Sequence, residues 1–141
     1  MSMFRILLGV VLALGQTGAQ FAGTWTASYG GETFVRLELQ ELNGALTGRI
    51  SLGSMHVDRD GVVDHVLAPA NNFTPIFDVA IRDGMLSFAR KDGDDTDRFE
   101  LRRIGDAVEL RFLFSSELAE EFARDNIPQP VPIRLTRAAA P

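Results

Sequence analysis

The chain has 141 residues, a formal net charge of −5, no cysteine, and 45% hydrophobic residues. That length and balance suit one packed domain and argue against disorder. The missing cysteines exclude thiol catalysis, thiolate metal sites and lipid attachment at cysteine. The acidic balance, without a Lys/Arg run, offers no field for nucleic acid.

The first segment carries targeting features. "MSMFR" ends in a positive charge at Arg5, "ILLGVVLAL" is a short apolar run, and Thr17 and Ala19 place small residues ahead of a cleavage point. This order predicts a secretory signal peptide over residues 1–19. The run is shorter than the roughly 20 residues a membrane-spanning helix needs. One domain over residues 20–141, secreted or periplasmic and with no membrane span after cleavage, is expected to follow.

From Phe21 the hydrophobic period is two, the period of strands. In "TFVRLELQ" Val35, Leu37 and Leu39 share one face, and Phe34, Arg36, Glu38 and Gln40 share the other. Asn43-Gly44 supplies a hairpin turn, after which Leu46, Ile50 and Leu52 continue the apolar face, with Thr47, Arg49 and Ser51 outward. "IFDVAI" alternates Phe77, Val79 and Ile81 against Asp78 and Ala80. Asp83-Gly84 turns the chain into "MLSFA". The acidic stretch "RKDGDDTDR" over residues 90–98 follows and is expected to be a hairpin tip. "RFELRRI" then places Phe99 and Leu101 inward, Gly105-Asp106 turns, and "AVELRFLF" points Val108, Leu110, Phe112 and Phe114 inward.

"SSELAEEFARDN" breaks the period. A serine cap, early glutamates at Glu117, Glu120 and Glu121, and Leu118 and Phe122 four apart predict one short helix ended by Asn126 and Pro128. "PIRLTR" supplies a last strand. Strands recurring about every ten residues with Asn-Gly and Asp-Gly turns predict an all-β antiparallel up-and-down barrel of about eight strands, lipocalin-like in form, with the helix before the last strand. Arg and Glu alternate on the outward faces, where a membrane barrel would need an apolar band.

"FAGTWTASY" at residues 21–29 resembles the Gly-x-Trp first strand of the calycin barrels, the group of lipocalins, fatty-acid-binding proteins and avidins. "GALTGRI" at residues 44–50 is similar to the second hairpin of avidin-type proteins. The resemblance implies that Trp25 plugs a closed barrel end beneath an arginine of the last strand, Arg137 or alternatively Arg134. Avidin-type biotin sites use several tryptophans and a polar residue just after the first. Trp25 is the only tryptophan here and Thr26-Ala27 follow it, so the resemblance does not extend to biotin.

Candidate chemistry is sparse. His56 and Asp58 alternate on an extended strand near Asp64 and His65, a donor set able to hold a transition metal, though without an established ligand spacing. Four aspartates in residues 92–97 offer oxygen ligands but miss the calcium-loop pattern, since Gly93 comes too early and Arg103 stands where the bidentate glutamate belongs. Ser54 lacks a nucleophile elbow, and no phosphate loop or dinucleotide fingerprint appears. The sequence makes no positive case for an enzyme or a cofactor. It predicts a non-enzymatic binding protein for a small hydrophobic molecule or a protein partner. Tyr29, Phe88, Phe99 and Phe112 are the candidate ligand residues. Arg90, Asp94, Asp95, Asp97 and Arg98 are the candidates for recognition at the loops. Two alternatives stand beside this: a barrel filled by its own side chains, and a metal-dependent enzyme using His56 and Asp58.

Overall fold

In the computed structural model, which describes residues 18–138, ten strands and one helix follow in chain order. The strands are β1 (Gly23–Tyr29), β2 (Glu32–Leu42), β3 (Ala45–Leu52), β4 (Ser54–Val57), β5 (Val63–Ala68), β6 (Thr74–Arg82), β7 (Met85–Asp92), β8 (Asp95–Ile104), β9 (Ala107–Leu113) and β10 (Ile133–Arg137). The helix, α1, spans Ser116–Arg124. Of the expected signal peptide only Gly18 and Ala19 fall within the described residues; the rest lies outside them.

Eight strands close a barrel in the order β1-β10-β9-β8-β7-β6-β3-β2, with β4 and β5 forming a separate hairpin. All pairings are antiparallel, and α1 stands before the last strand as the sequence predicts. Closure matters physically because an open meander of this length would expose unpaired edges.

The tight turns follow their residues. Gly30-Gly31, Asn43-Gly44 and Asp83-Gly84 have positive φ at both central positions, the type I′ pattern. Gly93 and Gly105 carry positive φ only at the first position, as type II′ requires. Both types twist in the same sense as the strands they join.

Period-two alternation delivers the core. Trp25, Val35, Leu37, Leu39, Ile50, Leu86, Phe88, Phe99, Leu101, Val108, Leu110 and Leu135 are buried and mutually packed. The stacked pair Phe88–Phe99, with ring centroids 5.2 Å apart, fills the middle of the lumen. At about 25 cal/mol per Å² of apolar surface, burial of such side chains is the main stabilising term. The outward ion pairs Arg49–Glu38, Arg102–Glu109 and Arg98–Asp78 are solvent-exposed and contribute less than about 1 kcal/mol each.

Three elements depart from simple alternation. A bulge in β6, with Asp78 at φ +52, shifts the register between Phe77 and Ala80. Ile76 therefore faces the core, and Phe77 lies outward under Lys91. Phe34, on the outward face of β2, is only 3% exposed and borders a cleft with Val62, Val63 and Val131. Ser51, also on the outer side, is fully buried and accepts a hydrogen bond from the Asn72 amide.

The two barrel ends differ. At one end, residues 18–22 form a turn and Phe21 is fully buried against Trp25. At the other, the β4–β5 hairpin packs Met55, Val63 and Val66 against the core. The Val131 amide donates to the Gly61 carbonyl and ties the hairpin to the segment entering β10.

Candidate functional site

The closed end is built around Trp25. Its indole Nε1–H donates to the Phe21 carbonyl at 2.9 Å. Register pairs Trp25 with Arg137, whose guanidinium carbon lies 4.3 Å from the ring centroid. Arg137 also donates to the Ala22 carbonyl at 2.9 Å. Arg134, three residues before it in the same strand and on the face opposite to Leu135, is exposed and pairs in register with Glu109. A second guanidinium, that of Arg103, lies 5.4 Å from the indole and donates to the Gln20 and Gly105 carbonyls. Arg103 has a sequence signal that the charge pattern hides, because it shares the parity of Phe99 and Leu101.

Gly23 makes this arrangement possible. Its φ is +137, and a Cβ there would collide with the Arg137 guanidinium. The Gly-x-Trp spacing thus clears the space through which a last-strand arginine reaches the tryptophan. The end is sealed by packing and leaves no room for chemistry.

The opposite end is an open mouth. Its rim consists of the ends of β3, β7 and β9, the starts of β6 and β8, and the connection from α1 to β10. A cavity of about 640 Å³ opens there, walled by Leu52, Met55, Phe112, Phe114 and Pro130 with Thr74 and Asn72. A second cavity of about 290 Å³ shares Leu52, Arg90, Phe112 and Phe114 with it and reaches Phe99 and Leu118. The ring sequence Phe88, Phe99, Phe112, Phe114 and Phe122 runs from the lumen to α1 with successive centroids 5.2, 5.6, 6.3 and 5.2 Å apart. Such offset and edge contacts favour a fixed aromatic wall.

The four candidate ligand aromatics separate. Phe112 lines the mouth, Phe99 forms its floor, Phe88 is buried beneath, and Tyr29 is 47% exposed beside the outer cleft near Val62 and Val131. The five recognition candidates also separate. β7 and β8 extend further than a hairpin tip would, so only Gly93 and Asp94 form the turn. Arg90 pairs in register with Ile76 and with Asp97, which turns both charged side chains toward the lumen. Arg90 Nε donates to Asp97 Oδ2 at 3.1 Å. Asp94 and Asp95 are exposed at the tip, and Arg98 points outward to Asp78.

His56 and Asp58 do not converge. His56 Nδ1 lies 2.7 Å from Asp64 Oδ1 and stands opposite His65 in the hairpin. Asp58 Oδ1 accepts the Asp60 and Val62 amides, a cap on its own turn. Among the described residues no group of three or more His, Asp or Glu side chains gathers to hold a metal. A further groove of about 490 Å³ lies on the outer surface of β1–β3, beside the exposed Glu38–Arg49 pair. Among the described residues no aromatic side chain lines this groove, whereas Phe112 and Phe114 give the mouth broad ring surfaces for a ligand.

The closed eight-stranded antiparallel barrel is compatible with a calycin-like architecture. No protein-family model, no curated protein and no solved structure matches the chain.

Proposed function

We propose that the protein is an exported, non-enzymatic binding protein, of the lipocalin-like kind its first strand resembles, that takes a small, mainly apolar molecule in its open mouth. The observation that supports this best is the contrast between the two ends. One is stoppered by Phe21 and Trp25, and the other holds an open cavity of about 640 Å³ walled by Leu52, Met55, Phe112 and Phe114. That volume falls in the range of roughly 300–1,000 Å³ usual for small-molecule sites. Leu52, Met55, Phe112 and Phe114 offer surface to an apolar body, and Asn72, Thr74, Arg90 and Asp92 set polar groups beside it. The packed lumen beneath, at Phe88 and Phe99, limits the ligand to the mouth rather than the full barrel depth.

A titration with the neutral dye N-phenyl-1-naphthylamine tests the reading. The native protein should raise its fluorescence saturably, and Leu52→Trp, which fills the cavity, should suppress the rise while preserving the circular dichroism spectrum. An unchanged dye spectrum with the native protein overturns the proposal.

A further inference from the structure

We infer that the mouth selects an apolar molecule bearing a single carboxylate, and that Arg90 is the group that holds this head. The inference rests on the mouth being the ligand site. It starts from the register. Arg90 lies two residues beyond the inward Phe88 and pairs with Ile76 and Asp97, so its guanidinium enters the lumen. Its side chain is 14% exposed, whereas the outward arginines Arg49 and Arg98 are 53% and 56% exposed. A guanidinium drawn this far from water needs partners.

Asp97 satisfies only part of that need. It accepts from Nε, and among the described residues the two Nη groups carry no hydrogen bond. Among the described residues no buried polar side-chain atom is left without a partner, so the Nη groups reach open space rather than being sealed in the core. The space they reach belongs to the two mouth cavities, since Arg90 lines both. The result is a planar donor fork, oriented by Asp97 and open on the side where a ligand would enter.

A carboxylate complements such a fork with two parallel charge-assisted hydrogen bonds. Partial exclusion of water strengthens those bonds. The rest of the wall sets the body of the ligand. With its head at Arg90, an apolar chain or ring would lie along Phe112 and Phe114 toward Met55 and Pro130. An amine finds a poorer site. Asp97 already accepts from Arg90, and Asp92, the other carboxylate lining the mouth, is exposed near the hairpin tip.

The test compares 11-(dansylamino)undecanoic acid with its methyl ester and with the amine of matching length, on the full folded chain. Two charge-assisted bonds predict that the acid binds at least about tenfold tighter than the ester. Arg90→Gln should bring the acid down to the ester's affinity in the same variant, and Arg90→Lys should restore part of the difference. Should Arg90→Gln fail to fold, Asp97→Asn decides: freeing the whole guanidinium should raise affinity for the acid and leave it preferred. Equal binding of acid and ester by a protein that also binds the neutral dye overturns the carboxylate anchor and spares the cup. So does a preference for the amine. Failure of all probes, the neutral dye included, overturns the cup itself.

Discussion

Gly23 and Arg137 stand 114 positions apart in the chain, yet the guanidinium of one lies where a Cβ on the other would be. Gly23 has a backbone angle that side chains resist, and the volume its missing Cβ leaves is taken by the guanidinium over Trp25. Gly23→Ala therefore meets strain and a steric collision together, a combined cost of about 1–3 kcal/mol. Arg137→Ala removes a cation–π contact worth about 1 kcal/mol when partly buried. The two should not add. With the guanidinium gone, the new methyl meets less resistance, so Gly23→Ala should cost less in the Arg137→Ala background. Denaturant unfolding of the four proteins gives the coupling directly, with about 1 kcal/mol expected between such neighbours. Strict additivity would mean that the glycine is there for its backbone angle alone.

At the scale of elements, α1 is the part least bound to the barrel. None of its residues is buried, and it leans on the mouth through Leu118 and through Phe122 against Phe114. Ser115 accepts the Leu118 amide at 3.1 Å and caps its start. Ser115→Ala should loosen the helix by about 1 kcal/mol. Amide exchange within Ser116–Arg124 should then quicken about fivefold, while β7 and β8 keep their rates; a uniform change across the chain would contradict this independence. The strands and most of their turns are legible in the sequence because each strand has one wet and one dry face and the turns use Asn-Gly, Asp-Gly or Gly-Asp; the Gly30-Gly31 turn between β1 and β2 is the exception. The helix is legible from its cap and from the four-residue spacing of Leu118 and Phe122. The β6 bulge is not, since a positive φ at Asp78 has no signal in an alternating run and inverts Phe77 against Ile76. The lumen-facing pair is hidden differently. Parity counted from Phe88 reaches Arg90, and counted back from Phe99 it reaches Asp97, but four aspartates in residues 92–97 read as a solvated tip. Only the strand ends in the structure show that the ladder continues to Asp92 and Asp95.

For the whole molecule, the ladder around the barrel is uneven. β7 pairs with β8 at eight positions, whereas β3 meets β6 at two and β1 meets β10 at two. The short seams should open first. Native-state hydrogen exchange should find the amides near Phe88, Phe99 and Leu101 slowest, at the rate of global unfolding, and those at Thr74–Ile76 and Thr136 faster; equal protection all round would count against this. The same closed cylinder fixes where its ends emerge. Residues 18–22 lie at the stoppered end, and the Ala138 amide donates to the Thr24 carbonyl at that end too. Both ends of the described chain therefore leave from the face opposite the mouth. A fluorescent reporter or a bead linkage placed at Gln20 or Ala138 would hang behind the barrel and leave the opening directed into solution.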